Sequence, residues 1–259
     1  MESVTPSVGW GVLHLFYVVD RERALDEPGG AKRIIDAVTS FEADGHQAVM
    51  FAVLGHKADF GVMALGPDLA RLQAFQQELA AAPIDPVDSY LSLTELSEYT
   101  STEEDERARL TSEEQLTGVE LDERLAEWTA RMAKYQENRI HPQLPQKNVI
   151  CFYPMSKRRD PGANWYELAF AERKKLMAGH ARIGRTYAGR VLQLITGSVG
   201  LDDWEWGVTL LADDPAVLKE IVYEMRFDEV SSRYGEFGPF ITGLVLDPQE
   251  TLSRVGLRG

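Results

Sequence analysis

The order of strand-like and helix-like stretches repeats once along this chain, and the repeat is the strongest constraint on its fold. Each half shows the order β-α-β-β-α-β of a ferredoxin-like unit. In the first half, strands are predicted at residues 10–19, 47–54, 59–65 and 89–95, and helices at residues 31–44 and 68–79. In the second half, strands are predicted at residues 148–155, 191–196, 204–211 and 237–246, and helices at residues 168–187 and 214–226.

Local signals support these assignments. The stretch WGVLHLFYVV at residues 10–19 is rich in the β-branched and aromatic residues that favour strands. Asp214 followed by Pro215 is typical of a helix N-terminus. Little residue identity links the halves, so the duplication is one of structure. The sequence therefore predicts an α+β fold in which two duplicated ferredoxin-like units form one β-barrel core with helices outside, a dimeric α/β-barrel.

A charged segment separates the halves and sets the domain boundaries. We expect an N-terminal ferredoxin-like unit at 1–99, an acidic and helical connecting segment at 100–146, and a C-terminal unit at 147–259. The acidic run STEEDE is expected to be solvated, and Ser112 to Gln115 fits a capping box. An apolar stripe follows at helical spacing: Leu121, Leu125, Trp128, Met132 and Tyr135. It indicates an amphipathic helix that packs on a domain or a neighbouring subunit, or a plain packed helix with a charged outer face.

Composition excludes several classes of function. The chain has 259 residues and a formal net charge of −14, which argues against nucleic-acid or anionic-membrane binding as its main role. No apolar run approaches the roughly 18 residues of a membrane span, and no secretory leader is evident, so a cytoplasmic location is expected. Cys151 is the only cysteine, which rules out an intrachain disulfide. The five histidines are scattered, and this argues against a classical zinc or di-iron site.

Two residues of the second half have both a structural and a functional interpretation. His180 shares a helix face with Leu176, Met177 and Ile183. Such a histidine is commonly a core residue, but one neutral imidazole on an apolar face also suffices as an axial ligand to haem iron. Gln193 interrupts the strand VLQLITG. It could bond to solvent or backbone, or donate a hydrogen bond to a peroxide bound at iron.

A tyrosine and a basic cluster lie close together in the stretch CFYPMSKRR. Tyr153 could be a half-buried strand residue or, beside a metal oxidant, a residue that forms a radical. Lys157 follows in the expected turn, where it could move a proton or meet a carboxylate. With Arg158, Arg159 and the upstream Arg139, it forms either a surface patch for solubility or an anion site.

Five segments of the second half carry a family resemblance: YPMSKRR, NWY, LMAGHARIGRTYAG, VLQLITGSVGLDDWEWGVTL and EMRFDEVSSRYGEFG. Together they resemble the chlorite dismutase-like haem proteins, and more closely the coproheme decarboxylases, which make haem b in the coproporphyrin-dependent pathway. The motifs span residues 148–246 with matching mutual spacing. The first half fits the duplicated fold without sharp motifs.

The resemblance implies a role for each matching residue. His180 would be the proximal iron ligand, and Gln193 the distal residue. Tyr153 would be the tyrosine whose radical attacks a propionate, with Lys157 as its proton partner. The further implied contacts are Arg139 and Ser231 to propionates, and Met155 and Trp165 beside the porphyrin edge. Chlorite dismutases are expected to carry an arginine where this chain has Gln193, which argues against that activity.

The implied function is hydrogen-peroxide-dependent decarboxylation of two propionates of Fe-coproporphyrin III (coproheme), which is both substrate and redox centre, to give haem b. The alternatives are a chlorite dismutase-like or peroxidase-like haem enzyme, and a non-catalytic haem carrier. The expected partners are coproheme and hydrogen peroxide, further copies of the chain in a homopentamer, and a coproporphyrin ferrochelatase in transient contact.

Overall fold

A nine-stranded antiparallel sheet forms the centre of the computed structural model, which describes residues 2–258. Its strands are β1 (Gly11–Val19), β2 (Gln47–Val53), β3 (Phe60–Gly66), β4 (Ile84–Thr94), β5 (Val149–Lys157), β8 (Val191–Gly197), β9 (Trp206–Ala212), β10 (Gly235–Phe237) and β11 (Ile241–Val245). A separate two-stranded hairpin pairs β6 (Arg159–Asp160) with β7 (Ala163–Asn164).

Helices pack around this sheet. They are α1 (Arg21–Asp26), α2 (Gly30–Ala43), α3 (Leu69–Ala80), α4 (Glu103–Glu113), α5 (Gly118–Ile140), α6 (Phe170–Thr186), α7 (Pro215–Met225), α8 (Glu229–Tyr234) and α9 (Pro248–Arg254), with a 3-10 turn at Trp165–Glu167. The predicted α+β class with a large antiparallel sheet is confirmed. None of the helices among residues 2–258 has the length and apolar character needed to cross a membrane.

The strand pairing returns to its starting point. Neighbours along the sheet follow the order β10-β5-β11-β2-β3-β1-β4-β8-β9, and β5 also pairs with β9. Strand β5 is therefore hydrogen-bonded to β11 on one side and to β9 on the other. This position matters because β5 carries several of the predicted site residues.

Three apolar clusters fill the spaces on the two faces of the sheet. One is shared by both halves of the chain and brings Phe16 and Phe51 together with Phe152 and Leu211. A second packs α2 and α3 onto the strands of the first half. The third packs α7 onto β5, β8 and β9. Alternation along each strand explains this division, because successive side chains point to opposite faces.

The closing strand departs from its prediction. Instead of one strand over residues 237–246, the structure has β10 and β11, which pair with β5 at Phe237↔Met155 and Ile241↔Phe152. Three residues, 238–240, therefore lie opposite only two residues of β5, Tyr153 and Pro154. Pro154 has no backbone N–H to donate. The prediction that Lys157 lies in a turn is wrong, because β5 continues through Pro154 to Lys157.

The connecting segment is helical over most of its length. The acidic run forms the first turn of α4, where Thr102 and Asp105 make a capping box. The box expected at Ser112 is wrong, since Ser112 lies inside α4. On α5, Leu121 and Leu125 are buried, whereas Tyr135 is 51% exposed. The apolar stripe is therefore fully buried only near the start of its helix, and Trp128 and Met132 are half-buried.

Candidate functional site

A cavity of about 350 Å³ is lined by the outward face of β5, β8 and β9 and by α6, α7 and α8. All eight predicted site residues line it: Arg139, Tyr153, Met155, Lys157, Trp165, His180, Gln193 and Ser231. Strand alternation puts Tyr153, Met155 and Lys157 on one face of β5. Residues that are distant in sequence thus meet at a single apolar cavity with a few polar groups, the usual form of a small-molecule site.

His180 is fixed by an acidic neighbour from another helix. Its Nδ1 lies 2.8 Å from Oδ2 of Asp228, which also caps the N-terminus of α8. Burial lowers the pKa of the His180 imidazole, and the Asp228 carboxylate acts in the opposite direction. A neutral ring that donates from Nδ1 keeps its lone pair on Nε2. That tautomer is the one a metal ligand requires.

Tyr153 is buried against aromatic rings. Its ring stacks on Phe240 with centroids 4.2 Å apart, and Phe237 lies at 6.0 Å. Burial raises the pKa of the Tyr153 phenol well above its ordinary value. The residue therefore keeps its phenolic proton at neutral pH.

Lys157 is a buried cation, with 8% of its surface exposed. Its Nζ lies 4.7 Å from the ring centroid of Trp165, a cation–π arrangement. Burial lowers the pKa of the Lys157 ammonium to about 8, while the charges of Asp228 and Glu205 oppose that change. Lys157 can therefore give up and take back a proton near neutral pH.

The basic cluster predicted around Lys157 does not act as one patch. Lys157 lines the cavity, whereas Arg158 lies in an adjoining open groove with Arg226 and Glu236. Arg159 is exposed and pairs with the buried carboxylate of Glu205. Adjacent residues of an extended chain point in opposite directions, which explains the separation.

Gln193 contacts the helix that carries His180. Its Nε2 donates to the carbonyl of Gly184 at 3.1 Å, about one turn beyond His180 on α6. The amide therefore bridges β8 and α6 across the cavity. A Cβ at Gly184 would stand 3.4 Å from this Nε2, an ordinary van der Waals distance.

Arg139 and Ser231 supply polar groups from two further helices. Arg139 lies in the last turn of α5, and its Nε is buried without a hydrogen-bond partner among the described residues. Ser231 follows the Asp228 cap in α8. A cavity-lining guanidinium with an unpaired nitrogen suits a ligand with carboxylates.

Sequence reasoning missed several cavity and supporting residues. Asp228 and Glu205 are two of these, and Trp206 is a third, whose Nε1 donates to Glu95 at 3.0 Å. One sequence signal could have identified Asp228, because it stands as an N-cap before the short helix EVSSRY. Its pairing with His180, 48 residues away, leaves no local trace.

The side chains that line the cavity suit a metal that is bound through a single imidazole. Within residues 2–258, no three histidine, cysteine or acidic side chains come together as a metal cluster. His180 and the surrounding apolar residues, such as Met177, Val208 and Met225, instead suit a flat macrocycle that brings its own metal ligands.

Comparison with known proteins places the chain in a family. A family model described as chlorite dismutase matches residues 29–246. The chain belongs to the chlorite dismutase family. The matched range includes β5, α6 and β8, which carry Tyr153, Lys157, His180 and Gln193.

Two curated relatives are each 40% identical to this chain. A protein of Natronomonas pharaonis, named as a candidate heme-binding protein, is 40% identical over 258 residues, covering 95% of this chain and 40% of the relative. A similarly named protein of Haloarcula marismortui is 40% identical over 257 residues, covering 93% of this chain and 36% of the relative. The chain spans about two fifths of the length of these relatives.

Solved structures show the same fold. A protein of Thermus thermophilus, described as a novel heme-binding protein, superposes with a TM-score of 0.79 at 35% identity, covering 99% of this chain and 98% of that one. A chlorite dismutase variant from Candidatus Nitrospira defluvii gives a TM-score of 0.71 at 16% identity, covering 96% and 97%. The second likeness is one of fold alone.

Proposed function

We propose that this member of the chlorite dismutase family decarboxylates two propionates of coproheme with hydrogen peroxide and so produces haem b. The observation that carries the proposal is the burial of Tyr153 and Lys157 in the same cavity as His180. A haem carrier would need an axial ligand and an apolar cavity. It would have no use for a buried phenol and a buried ammonium beside them.

The residues of the cavity fit the tetrapyrrole. The Nδ1 bond to Asp228 leaves Nε2 of His180 free, and this nitrogen would bind the iron. The unpaired Nε of Arg139 and the hydroxyl of Ser231 would hold carboxylates, while Met155 and Trp165 would pack at the ring edge. The names of the Natronomonas pharaonis and Thermus thermophilus relatives support haem binding by this chain.

Bound coproheme would supply the iron at which hydrogen peroxide is reduced. For each propionate, one hydrogen peroxide becomes two waters, one proton is consumed, and the side chain loses carbon dioxide and one hydrogen to become a vinyl group. Tyr153, once oxidised, takes the hydrogen atom from the propionate β-carbon. Lys157 receives and returns the proton that the phenol exchanges.

Gln193 favours this reaction over chlorite degradation. A neutral amide donates a hydrogen bond to a peroxide without the positive charge that would hold chlorite and its product. Coproheme held by His180 on α6 would replace the bond from Gln193 to Gly184 on that helix, and the freed amide would face the bound peroxide. A peroxidase-like enzyme with permanent haem b remains the alternative among catalysts, and a haem carrier the alternative among binding proteins.

We also infer how the chain is organised around this function. The pairing of β5 with both β11 and β9 supports a barrel built from two ferredoxin-like units, 1–99 and 147–259, joined by the segment 100–146. The partly uncovered stripe of α5 supports a homopentamer. A cytoplasmic location and a transient contact with coproporphyrin ferrochelatase, which would supply coproheme, complete the proposal.

The decisive experiment is mass spectrometry of the porphyrin after coproheme and hydrogen peroxide are added to the purified protein. We expect a product that has lost two carboxyl groups, formed faster than in a sample with peroxide but no protein. A porphyrin that keeps all four carboxylates would refute the proposal. Oxygen release from chlorite, measured in parallel, would instead support the chlorite-degrading alternative.

A further inference from the structure

Glu205 is a buried carboxylate next to the site but outside the cavity lining. It precedes β9, and 6% of its surface is exposed. Its Oε2 accepts a hydrogen bond from the backbone N–H of Lys157 at 2.7 Å. Its Oε1 pairs with the guanidinium of Arg159, which lies at the surface. A buried carboxylate is costly unless its oxygens are bonded, so these contacts account for its stability there.

The backbone around Glu205 joins the end of β5 to the loop before β9. Its N–H donates to the carbonyl of Met155 at 3.1 Å, and its carbonyl accepts from Ser198 N–H at 2.8 Å. The carboxylate then closes the connection through Lys157 N–H. Glu205 thus holds the end of β5 at two points, the backbone N–H of Lys157 and the backbone carbonyl of Met155.

We propose that Glu205 is a positioning residue for Lys157, which it holds at the end of β5 and whose ammonium form it stabilises. The inference rests on the proposed function for the role of Lys157 in the reaction. Its geometric basis is independent of any ligand, because the bond from Lys157 N–H to Glu205 is present in the protein itself.

Several charged groups face Lys157 from the elements packed against it. Asp228 approaches from α8, Glu205 from the loop before β9, and the His180 ring from α6. Asp228 cannot be altered without disturbing His180, to which it is hydrogen-bonded. Glu205 has no hydrogen bond to His180, so its influence on Lys157 can be measured separately.

Two substitutions should move the Lys157 titration in opposite directions. Glu205→Gln keeps an acceptor for Lys157 N–H but removes the negative charge, so the ammonium loses stabilisation. Arg159→Gln removes the positive charge that offsets Glu205, so the ammonium gains stabilisation. A purely structural role would loosen the same turn in both variants and shift the titration in one direction.

The test uses the protein without coproheme, labelled with 13C-lysine, and follows the Cε signal of Lys157 by NMR as the pH is raised. The signal is assigned by its absence in Lys157→Met. We expect a native pKa of about 8. Glu205→Gln should lower the Lys157 pKa by about 0.5 or more, and Arg159→Gln should raise it. Glu205→Asp, which restores the charge, should return it toward the native value.

An unchanged Lys157 pKa in Glu205→Gln, or shifts of the same sign in both variants, would overturn the inference. If Glu205→Gln does not fold, Arg159→Gln decides alone. A Lys157 pKa that is unchanged or lower in Arg159→Gln would then overturn the inference. In the native enzyme with coproheme, the alkaline limb of the pH–rate profile should follow the NMR shift. If the native protein does not decarboxylate coproheme, the proposed function is refuted. The effect of Glu205 on the Lys157 pKa is decided separately, by the NMR titration.

Discussion

His180 Nδ1 and Asp228 Oδ2 lie 2.8 Å apart, and this bond joins α6 to the start of α8. It sets the tautomer and the orientation of the imidazole before any ligand binds. A carboxylate behind a ligating histidine also makes the free ring nitrogen a stronger donor. The orientation in which His180 would meet a metal is therefore built into the packing of two helices.

Replacement of Asp228 by asparagine should weaken metal ligation while preserving the helix cap. Asparagine caps helices about as well as aspartate does, so α8 should persist. Affinity for coproheme, measured from the Soret band on titration, should fall about 10- to 100-fold. Glu229→Gln, which alters the adjacent exposed carboxylate, serves as the control and should bind as the native protein does. Equal affinities in the two variants would contradict the role of Asp228.

Replacement of Tyr153 by phenylalanine should separate binding from chemistry. The ring and its stacking on Phe240 remain, so coproheme should bind with native affinity. Loss of the phenol should slow decarboxylation by at least about 100-fold. Tyr135→Phe, at an exposed position of α5, is the matched control. A native rate in Tyr153→Phe would show that the hydrogen atom is taken by another group.

Replacement of Arg139 by methionine should lower ligand affinity at little cost to the fold. The native Arg139 Nε is buried without a partner among the described residues, so its removal leaves no new unpaired group. Coproheme affinity should drop about 10-fold, equivalent to about 1.4 kcal/mol. The free energy of unfolding should change by less than about 0.5 kcal/mol. Arg131→Met on the same helix should change neither quantity.

His14 should make the stability of the protein depend on pH. It is fully buried, with Nε2 2.8 Å from the Thr209 hydroxyl, and burial lowers its pKa from 6.5 to about 3. Between these values the unfolded chain binds a proton that the folded protein does not. Stability from this residue is therefore complete above pH 6.5 and declines as the pH falls toward 3, by up to about 1.4 kcal/mol per pH unit.

Urea unfolding of the native protein and of His14→Gln at several pH values would measure this contribution. The native free energy of unfolding should fall more steeply below pH 6.5. His56→Gln, at an exposed histidine, should retain the native slope. Equal slopes in native protein and His14→Gln would show that His14 accepts a proton without unfolding.

Much of the fold was predictable because the signals were local. β-Branched and aromatic residues marked the first strand, and Asp214-Pro215 marked a helix start that the structure confirms. The split of the last strand was not predictable, since it depends on which strand lies opposite Pro154. Register between distant strands is a tertiary property, and no single stretch encodes it.

Which residues line the cavity was predictable, and how they are held there was less so. The family resemblance implied the eight predicted residues, and they line one cavity. The partners of those residues were missed, because Asp228 and Glu205 act on residues 48 positions away in each case. The bond between Gln193 and Gly184 could not be anticipated either, since it arises from the packing of β8 against α6.

The two walls of the cavity differ in how firmly they are held. Strand β5 is bonded along both edges, whereas α6 has no fully buried residue in its 17 positions. Amide hydrogen exchange should accordingly be slow at Tyr153 and fast along α6. A ligand held between the two walls would therefore meet one firmly bonded strand and one helix that opens more easily, and that helix carries His180.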